Sequence, residues 1–117
     1  MEPHELGRKG EIIACEHLRT KGFKIIFTNY YCRYGELDIV ARDPSSWVFV
    51  EVKCRRSAQG FEQAIGPKKI KCLHLAARSY LQRAGLEEED YRFMILFILF
   101  PENENKDPII HMIEDPF

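Results

Sequence analysis

The sequence lacks the features that mark a secreted, zinc-binding or membrane-spanning chain. Its four cysteines form no C-x-x-C pair, and their spacings match no zinc template. The N-terminal Met-Glu-Pro-His-Glu has neither the basic nor the apolar region of a signal peptide. The longest apolar run, residues 93–100, is far shorter than the roughly 20 residues that span a bilayer. We therefore expect a cytoplasmic protein with reduced thiols and no membrane partner.

Glycine and proline are scarce as well, with seven and six residues in a chain of 117. Hydrophobic residues make up 45% and charged residues 30%, which excludes a disordered or low-complexity chain. A chain of this length has room for one domain, so we expect residues 1–117 to fold as a single unit.

Net charge is nearly absent, because 17 basic and 18 acidic residues give a formal charge of −1. The average hides an ordered distribution. Residues 52–83 carry eight basic residues and one acid, a net of +7, while residues 84–117 carry a net of −7. The near-zero total therefore does not exclude an anionic partner, and it indicates that any binding face is local.

Hydrophobic periodicity and turn residues predict two helices and five strands. The helices are expected at about residues 5–20 and 67–84, and the strands at 23–28, 35–42, 47–53, 91–100 and 109–113. The order α-β-β-β-α-β-β indicates an α/β fold with a mixed central sheet flanked by helices. The second helix would be a crossover between strands.

Two carboxylates interrupt predicted strands. Glu51 lies between two valines in an otherwise apolar strand, and Lys53 points to the same side two residues later. Asp38 lies in mid-strand, where aspartate is rare, and alternation places it on one face with Glu36 and Val40. If the second and third strands form a hairpin, Asp38 and Glu51 can lie on the same face of adjacent strands.

A third carboxylate, Glu11, lies on the apolar stripe of the first helix with Ala14, Cys15 and Leu18. Taken alone, Glu11 is explained by the helix dipole, which favours acids near a helix N-terminus. Two or three convergent carboxylates form the hard-oxygen site that Mg²⁺ or Mn²⁺ prefers. Lys53 could then orient a water or offset charge on a phosphate. The alternative is a buried ion pair without function.

The pattern Asp38…Glu51-Val52-Lys53 resembles the D…E-x-K signature of restriction-endonuclease-like nucleases. Further motifs resemble the YraN-like family of uncharacterised bacterial predicted nucleases. They are Gly7-Arg8-Lys9-Gly10-Glu11, Asn29-Tyr30, residues 32–43 and Phe49-Val50-Glu51-Val52-Lys53. The likeness is dense from residue 7 to residue 81 and looser in the C-terminal strand. Where an aspartate is common in the family after Arg92-Phe93, this chain has Met94.

The resemblance implies a restriction-endonuclease-like fold, similar to that of archaeal Holliday-junction resolvases. It implies Glu11, Asp38 and Glu51 as metal ligands for Mg²⁺ or Mn²⁺, and Lys53 as the catalytic lysine. The implied activity is a metal-dependent endonuclease on DNA, with branched junctions as candidate substrates. Resolvase-like cutting of two strands would require a symmetric homodimer.

Basic residues near the predicted site could contact backbone phosphates, although a solvated helix face is the ordinary explanation for such residues. The candidates are Arg8, Lys9, Arg55, Arg56, Lys68, Lys69 and Lys71. We also expect the loop at Gly60-Phe61 to close on substrate and Gln63 to be able to orient a water. A non-catalytic module that binds nucleic acid or protein through the same fold is the alternative function.

Overall fold

The computed structural model describes residues 2–56, 65–103 and 105–117. The elements are α1 (Pro3–Thr20), β1 (Lys24–Cys32), β2 (Gly35–Arg42), β3 (Trp47–Arg55), α2 (Pro67–Arg83), β4 (Tyr91–Leu99) and β5 (Ile109–Glu114). This is the predicted order α-β-β-β-α-β-β. The first strand is longer than predicted and continues through Asn29 to Cys32. A proline near the first turn begins each helix, where its missing N–H has no helical partner to lose.

The five strands form one sheet whose spatial order, β1-β2-β3-β4-β5, is the order of the chain. β3 and β4 are parallel, and the other neighbouring strands are antiparallel. Parallel neighbours need a crossover, and α2 lies on that connection as predicted. The apolar run 93–100 falls mostly in β4, which is paired on both sides and almost wholly buried.

Helices cover both sides of the sheet. Ala14, Cys15 and Leu18 of α1 pack on one side against β2, β3 and β4, and we call this side the α1 face. On the other side, which we call the α2 face, Leu73 and Leu81 of α2 pack against an aromatic cluster that includes Phe49. Each amphipathic helix therefore buries its apolar stripe on its own side of the sheet.

The strands β2 and β3 separate before either of them ends. Their pairing runs from Arg42↔Trp47 to Ile39↔Val50. β3 then continues beside β4, while β2 continues beside β1. We call the point of separation, formed by Asp38, Glu51 and Val52, the β2–β3 fork. The two carboxylates singled out in the sequence, Asp38 and Glu51, are the first residues on the two strands beyond the last β2–β3 pair.

Strict alternation along β2 was a wrong expectation. Leu37 packs on the α2 face and Ile39 packs on the α1 face, although alternation would place both on one face. Val40 packs on the α2 face, so the alternation is interrupted between Leu37 and Ile39. The interruption falls at Asp38, opposite Asn29, whose φ of 56° is unusual for a non-glycine residue. The change of side occurs where β2 leaves β3, since the ladder no longer holds β2 flat there.

All four cysteines are free thiols. In the described part of the chain, no helix is both long and apolar enough to cross a membrane.

Candidate active site

The Asp38 side chain accepts a backbone hydrogen bond from β3 at the point where the β2–β3 pairing ends. Beyond Ile39↔Val50 the backbone N–H of Val52 has no partner on β2. It donates instead to the Asp38 carboxylate, with 2.8 Å between Val52 N and Asp38 Oδ2. Burial raises the pKa of Asp38, and the Val52 hydrogen bond, Lys69 and Lys53 oppose that rise. The carboxylate is thus fixed by the backbone at the point where the sheet opens.

Glu51 lies beside Asp38 on the neighbouring strand. Its side chain is only 11% exposed, and its carboxyl group interacts with that of Asp38. Burial, followed by the charge of Asp38, raises the pKa of Glu51 to about 7, against the opposing charges of Lys69 and Lys53. Lys53 Nζ is 3.9 Å from Glu51 Oε1. Two carboxylates, one of them able to hold a proton near neutrality, therefore share a site with a lysine.

Glu11 approaches the fork from the α1 face. Its Oε1 accepts a hydrogen bond of 2.7 Å from Asn29 Nδ2. Burial raises the pKa of Glu11, the Asn29 hydrogen bond lowers it, and the charges of Asp38 and Glu36 raise it further. Glu11 thus lies close enough to Asp38 for their charges to interact, and the side-chain amide of Asn29 holds it there.

A cleft of about 620 Å³ opens between α1 and the fork, and we call it the carboxylate cleft. Its polar lining includes Arg8, Glu11, Tyr31, Glu36, Asp38 and Arg55. Glu51 instead lines a small cavity on the α2 face, with Phe49, Leu73 and Phe93. Asp38 thus borders the carboxylate cleft together with Glu11, while Glu51, which faces the α2 side, interacts with Asp38 and Lys53.

Three groups near the site were not assigned to it from the sequence. Glu36 lines the carboxylate cleft and raises the pKa of Glu11, while Asn29 positions Glu11 directly. Tyr31 lies next to Glu36 at the cleft and is 68% exposed. The signal available in the sequence was a second acid two residues before Asp38, whereas Asn29 lay just beyond the predicted end of the first strand.

The predicted phosphate contacts divide by location. Arg8 and Arg55 line the carboxylate cleft, and Lys69 at the start of α2 acts electrostatically on Asp38 and Glu51. Lys9, Arg56, Lys68 and Lys71 are exposed and do not line that cleft. The predictions for Gly60, Phe61 and Gln63 concern residues outside the described part of the chain.

The donor atoms at the fork fit a divalent cation of the Mg²⁺ or Mn²⁺ type. Asp38 and Glu51 supply hard carboxylate oxygens, and their mutual repulsion is the kind that a bound cation removes. Across residues 2–56, 65–103 and 105–117, however, no three His, Cys, Asp or Glu side chains converge as a ready-made metal site. The pair Asp38 and Glu51 is accordingly the centre of the candidate site, with Glu11 set apart from it.

The sequence matches one family model and many relatives. The model of "Uncharacterised protein family UPF0102" matches residues 10–98. A UPF0102 protein of Chlorobium limicola is 42% identical over 106 residues, covering 89% of this chain and 82% of that protein. One of Syntrophomonas wolfei is 41% identical over 111 residues, covering 93% and 95%. These matches confirm the resemblance to the YraN-like family drawn from the sequence motifs.

A solved structure shares the architecture. The Holliday junction resolvase Hjc of the archaeal hyperthermophile Archaeoglobus fulgidus superposes with a TM-score of 0.50 and 13% identity. The superposition covers 92% of this chain and 88% of that protein. At this level of identity the likeness confirms the predicted fold and leaves the chemistry to be argued from the residues themselves.

Proposed function

The chain belongs to the uncharacterised protein family UPF0102, and we propose that it is a divalent-metal-dependent endonuclease that hydrolyses phosphodiester bonds of DNA. One observation carries the proposal. Asp38 and Glu51 lie side by side at the β2–β3 fork, with Lys53 Nζ 3.9 Å from Glu51 Oε1. Grouping two partly desolvated carboxylates has an electrostatic cost that a purely structural role does not repay.

Each group at the fork has a task in this reaction. Asp38 and Glu51 would hold Mg²⁺ or Mn²⁺, and Glu11 would complete the ligand set from the α1 face. When bound, the metal would polarise the phosphate and acidify a water. Lys53 orients the attacking water and offsets the negative charge that develops on the phosphate oxygens. Lys69, at the N-terminus of α2, adds positive charge on the same side.

Branched DNA is the substrate we propose first, because the neighbour of similar fold is a Holliday junction resolvase. Cutting two strands of a junction symmetrically requires two sites, so this version of the proposal includes a homodimer. Light scattering tests it, since the expected mass is twice that of the 13.8 kDa chain. A single-chain mass at the concentration used for junction cleavage would restrict the proposal to nicking of one strand.

The activity test uses supercoiled, single-stranded and four-way-junction DNA with Mg²⁺ or Mn²⁺. We expect cleavage by the wild type and a loss of roughly 10² to 10³ in rate for Asp38→Asn and Lys53→Met. Asp107→Asn, an exposed loop aspartate, is the matched control and should cleave normally. Absence of cleavage on every DNA, or undiminished cleavage by Asp38→Asn, would refute the proposal.

A non-catalytic DNA-binding module is the second candidate. It is favoured by the lack of three converging metal-ligand side chains among the described residues. This candidate predicts DNA binding that is steeply salt-dependent, unaffected by Mg²⁺ and unchanged in Glu51→Gln. If Mg²⁺ tightened DNA binding by the wild type but not by Glu51→Gln, the non-catalytic module would be excluded in favour of the nuclease.

A further inference from the structure

A second cleft, of about 560 Å³, lies on the α2 face between α2 and the tip of the β1–β2 hairpin. Arg33, Arg78 and Arg83 line it, and we call it the arginine cleft. We propose that the arginine cleft binds backbone phosphates of the same DNA substrate, on the far side of the hairpin from the carboxylate cleft. This inference rests on the proposed function for its substrate, although its test requires no cleavage.

No carboxylate in the described part of the chain neutralises the charges of the arginine cleft. None of the three arginines forms an ion pair with a carboxylate of the described residues, and no acid among those residues lines the cleft. Elsewhere, Arg42 pairs with Glu89 and Arg92 pairs with Asp43. Three unpaired guanidinium groups at one cleft create a positive potential that attracts an anion.

A neutral hydroxyl group positions Arg33, and a second hydroxyl group lies near Arg83. Arg33 Nη2 donates a hydrogen bond to Tyr34 Oη, and its guanidinium lies 4.8 Å from the centre of the Tyr34 ring. Arg83 interacts with the hydroxyl of Tyr30, which also lies 3.0 Å from Ser79 Oγ. A hydroxyl orients a guanidinium without cancelling its charge, so the remaining N–H donors stay available for phosphate oxygens.

Helical spacing gives α2 a polar stripe facing the cleft. Leu75, Arg78, Ser79 and Gln82 occupy positions i, i+3, i+4 and i+7 of one helix face, and all but Leu75 are polar. Ser79 and Gln82 add uncharged donors to those of the arginines. This mixture of arginine, serine and glutamine is the usual set for contacts to nucleic-acid phosphates and sugars.

The two clefts lie at neighbouring points along β2. Tyr34 lines the arginine cleft, and β2 begins at the next residue, Gly35. Asp38 lies three residues further along this strand, about 10 Å at the usual rise. A DNA backbone that reaches Asp38 would therefore pass close to the tip of the hairpin and the arginine cleft.

The test measures DNA binding without metal. The fluorescence anisotropy of a labelled 20-base-pair duplex in EDTA reports binding over a series of salt concentrations. Each lost phosphate contact lowers the salt slope by about 0.9. Arg78→Gln/Arg83→Gln should thus lower the slope by about 2 and weaken binding roughly 60-fold at 0.1 M salt. Arg78→Lys/Arg83→Lys should keep most of the slope, because the charges remain.

The matched control is Arg19→Gln/Lys21→Gln, which removes the same charge from exposed positions near the end of α1 that line neither cleft. An equal loss in this control, an unchanged slope in the arginine-cleft variant, or no DNA binding by the wild type would overturn the inference.

The two proposals can fail separately. Binding that depends on Arg78 and Arg83, in a protein that cleaves no DNA, would support the arginine cleft and refute the nuclease. Cleavage with normal DNA binding by Arg78→Gln/Arg83→Gln would refute the arginine cleft alone.

Discussion

Replacing Glu51 by glutamine should stabilise the metal-free protein at alkaline pH. Ionising a carboxyl group whose pKa is raised from 4.5 to about 7 by folding costs about 3 kcal/mol at pH 8. Glutamine keeps the shape of the side chain and removes this charge beside Asp38. We therefore expect Glu51→Gln to gain up to about 3 kcal/mol in free energy of unfolding at pH 8.

The sign of the pH dependence follows from proton binding. Below pH 4.5 the Glu51 carboxyl group is protonated in both the folded and the unfolded chain, so the substitution has little effect there. Between pH 4.5 and about 7 the folded chain holds the proton more tightly, and the wild type loses stability as the pH rises. The advantage of Glu51→Gln should grow through this window and level off above it.

Urea denaturation in EDTA between pH 4.5 and 8 measures the effect. The matched control is Glu16→Gln, an exposed position on α1, whose difference from the wild type should stay near zero. A Glu51→Gln variant less stable than wild type at pH 8, or a difference that does not change with pH, would refute the reasoning. Adding Mg²⁺ at pH 8 should then raise the stability of the wild type more than that of the variant.

Two further predictions concern the packing of α1 and the loop before β3. A Cβ added at Gly10 would lie 2.0 Å from Cys54 Sγ, so Gly10→Ala should cost about 1 to 3 kcal/mol in urea denaturation. Gly7→Ala, with nothing within 4 Å, should instead stabilise by up to ~1 kcal/mol, and equal effects would refute the steric argument. Asp43 has a strongly lowered pKa because Arg92 and the turn backbone donate to it. Asp43→Asn should thus cost about 1 to 2 kcal/mol at pH 7, because solvent screens part of this interaction, and the cost should fade as the pH drops below 3.8; a constant cost would contradict this.

The sequence was most informative where local chemistry decides the structure. β2 was predicted at its observed bounds, because Gly35 and the turn after Arg42 limit a run of alternating residues. The adjacency of Asp38 and Glu51 followed from the short β2–β3 connection, which sets the register of a hairpin. Glu51 was conspicuous because a carboxylate within an apolar strand needs a partner.

The features that the sequence did not predict lie where β2 and β3 separate. Alternation assumes a continuous ladder, so it could not foresee the change of side at Asp38. The positive φ of Asn29 and its hydrogen bond to Glu11 arise from the same irregularity, within a strand expected to end at residue 28. The set of Asp38, Glu51 and Lys53 was accessible from sequence, whereas the position of Glu11 across the sheet was not.

The order of strands in the sheet has a consequence for the way the chain folds. β1, β2 and β3 pair as neighbours in sequence, and so do β4 and β5. The parallel pair β3–β4 alone joins distant segments and must wait for the long connection that contains α2. Non-local pairings of this kind limit folding rates. We therefore expect Glu51, which lies opposite Ile95 in that pair, to acquire its buried environment late, after the N-terminal hairpins have formed around a carboxylate that is still hydrated.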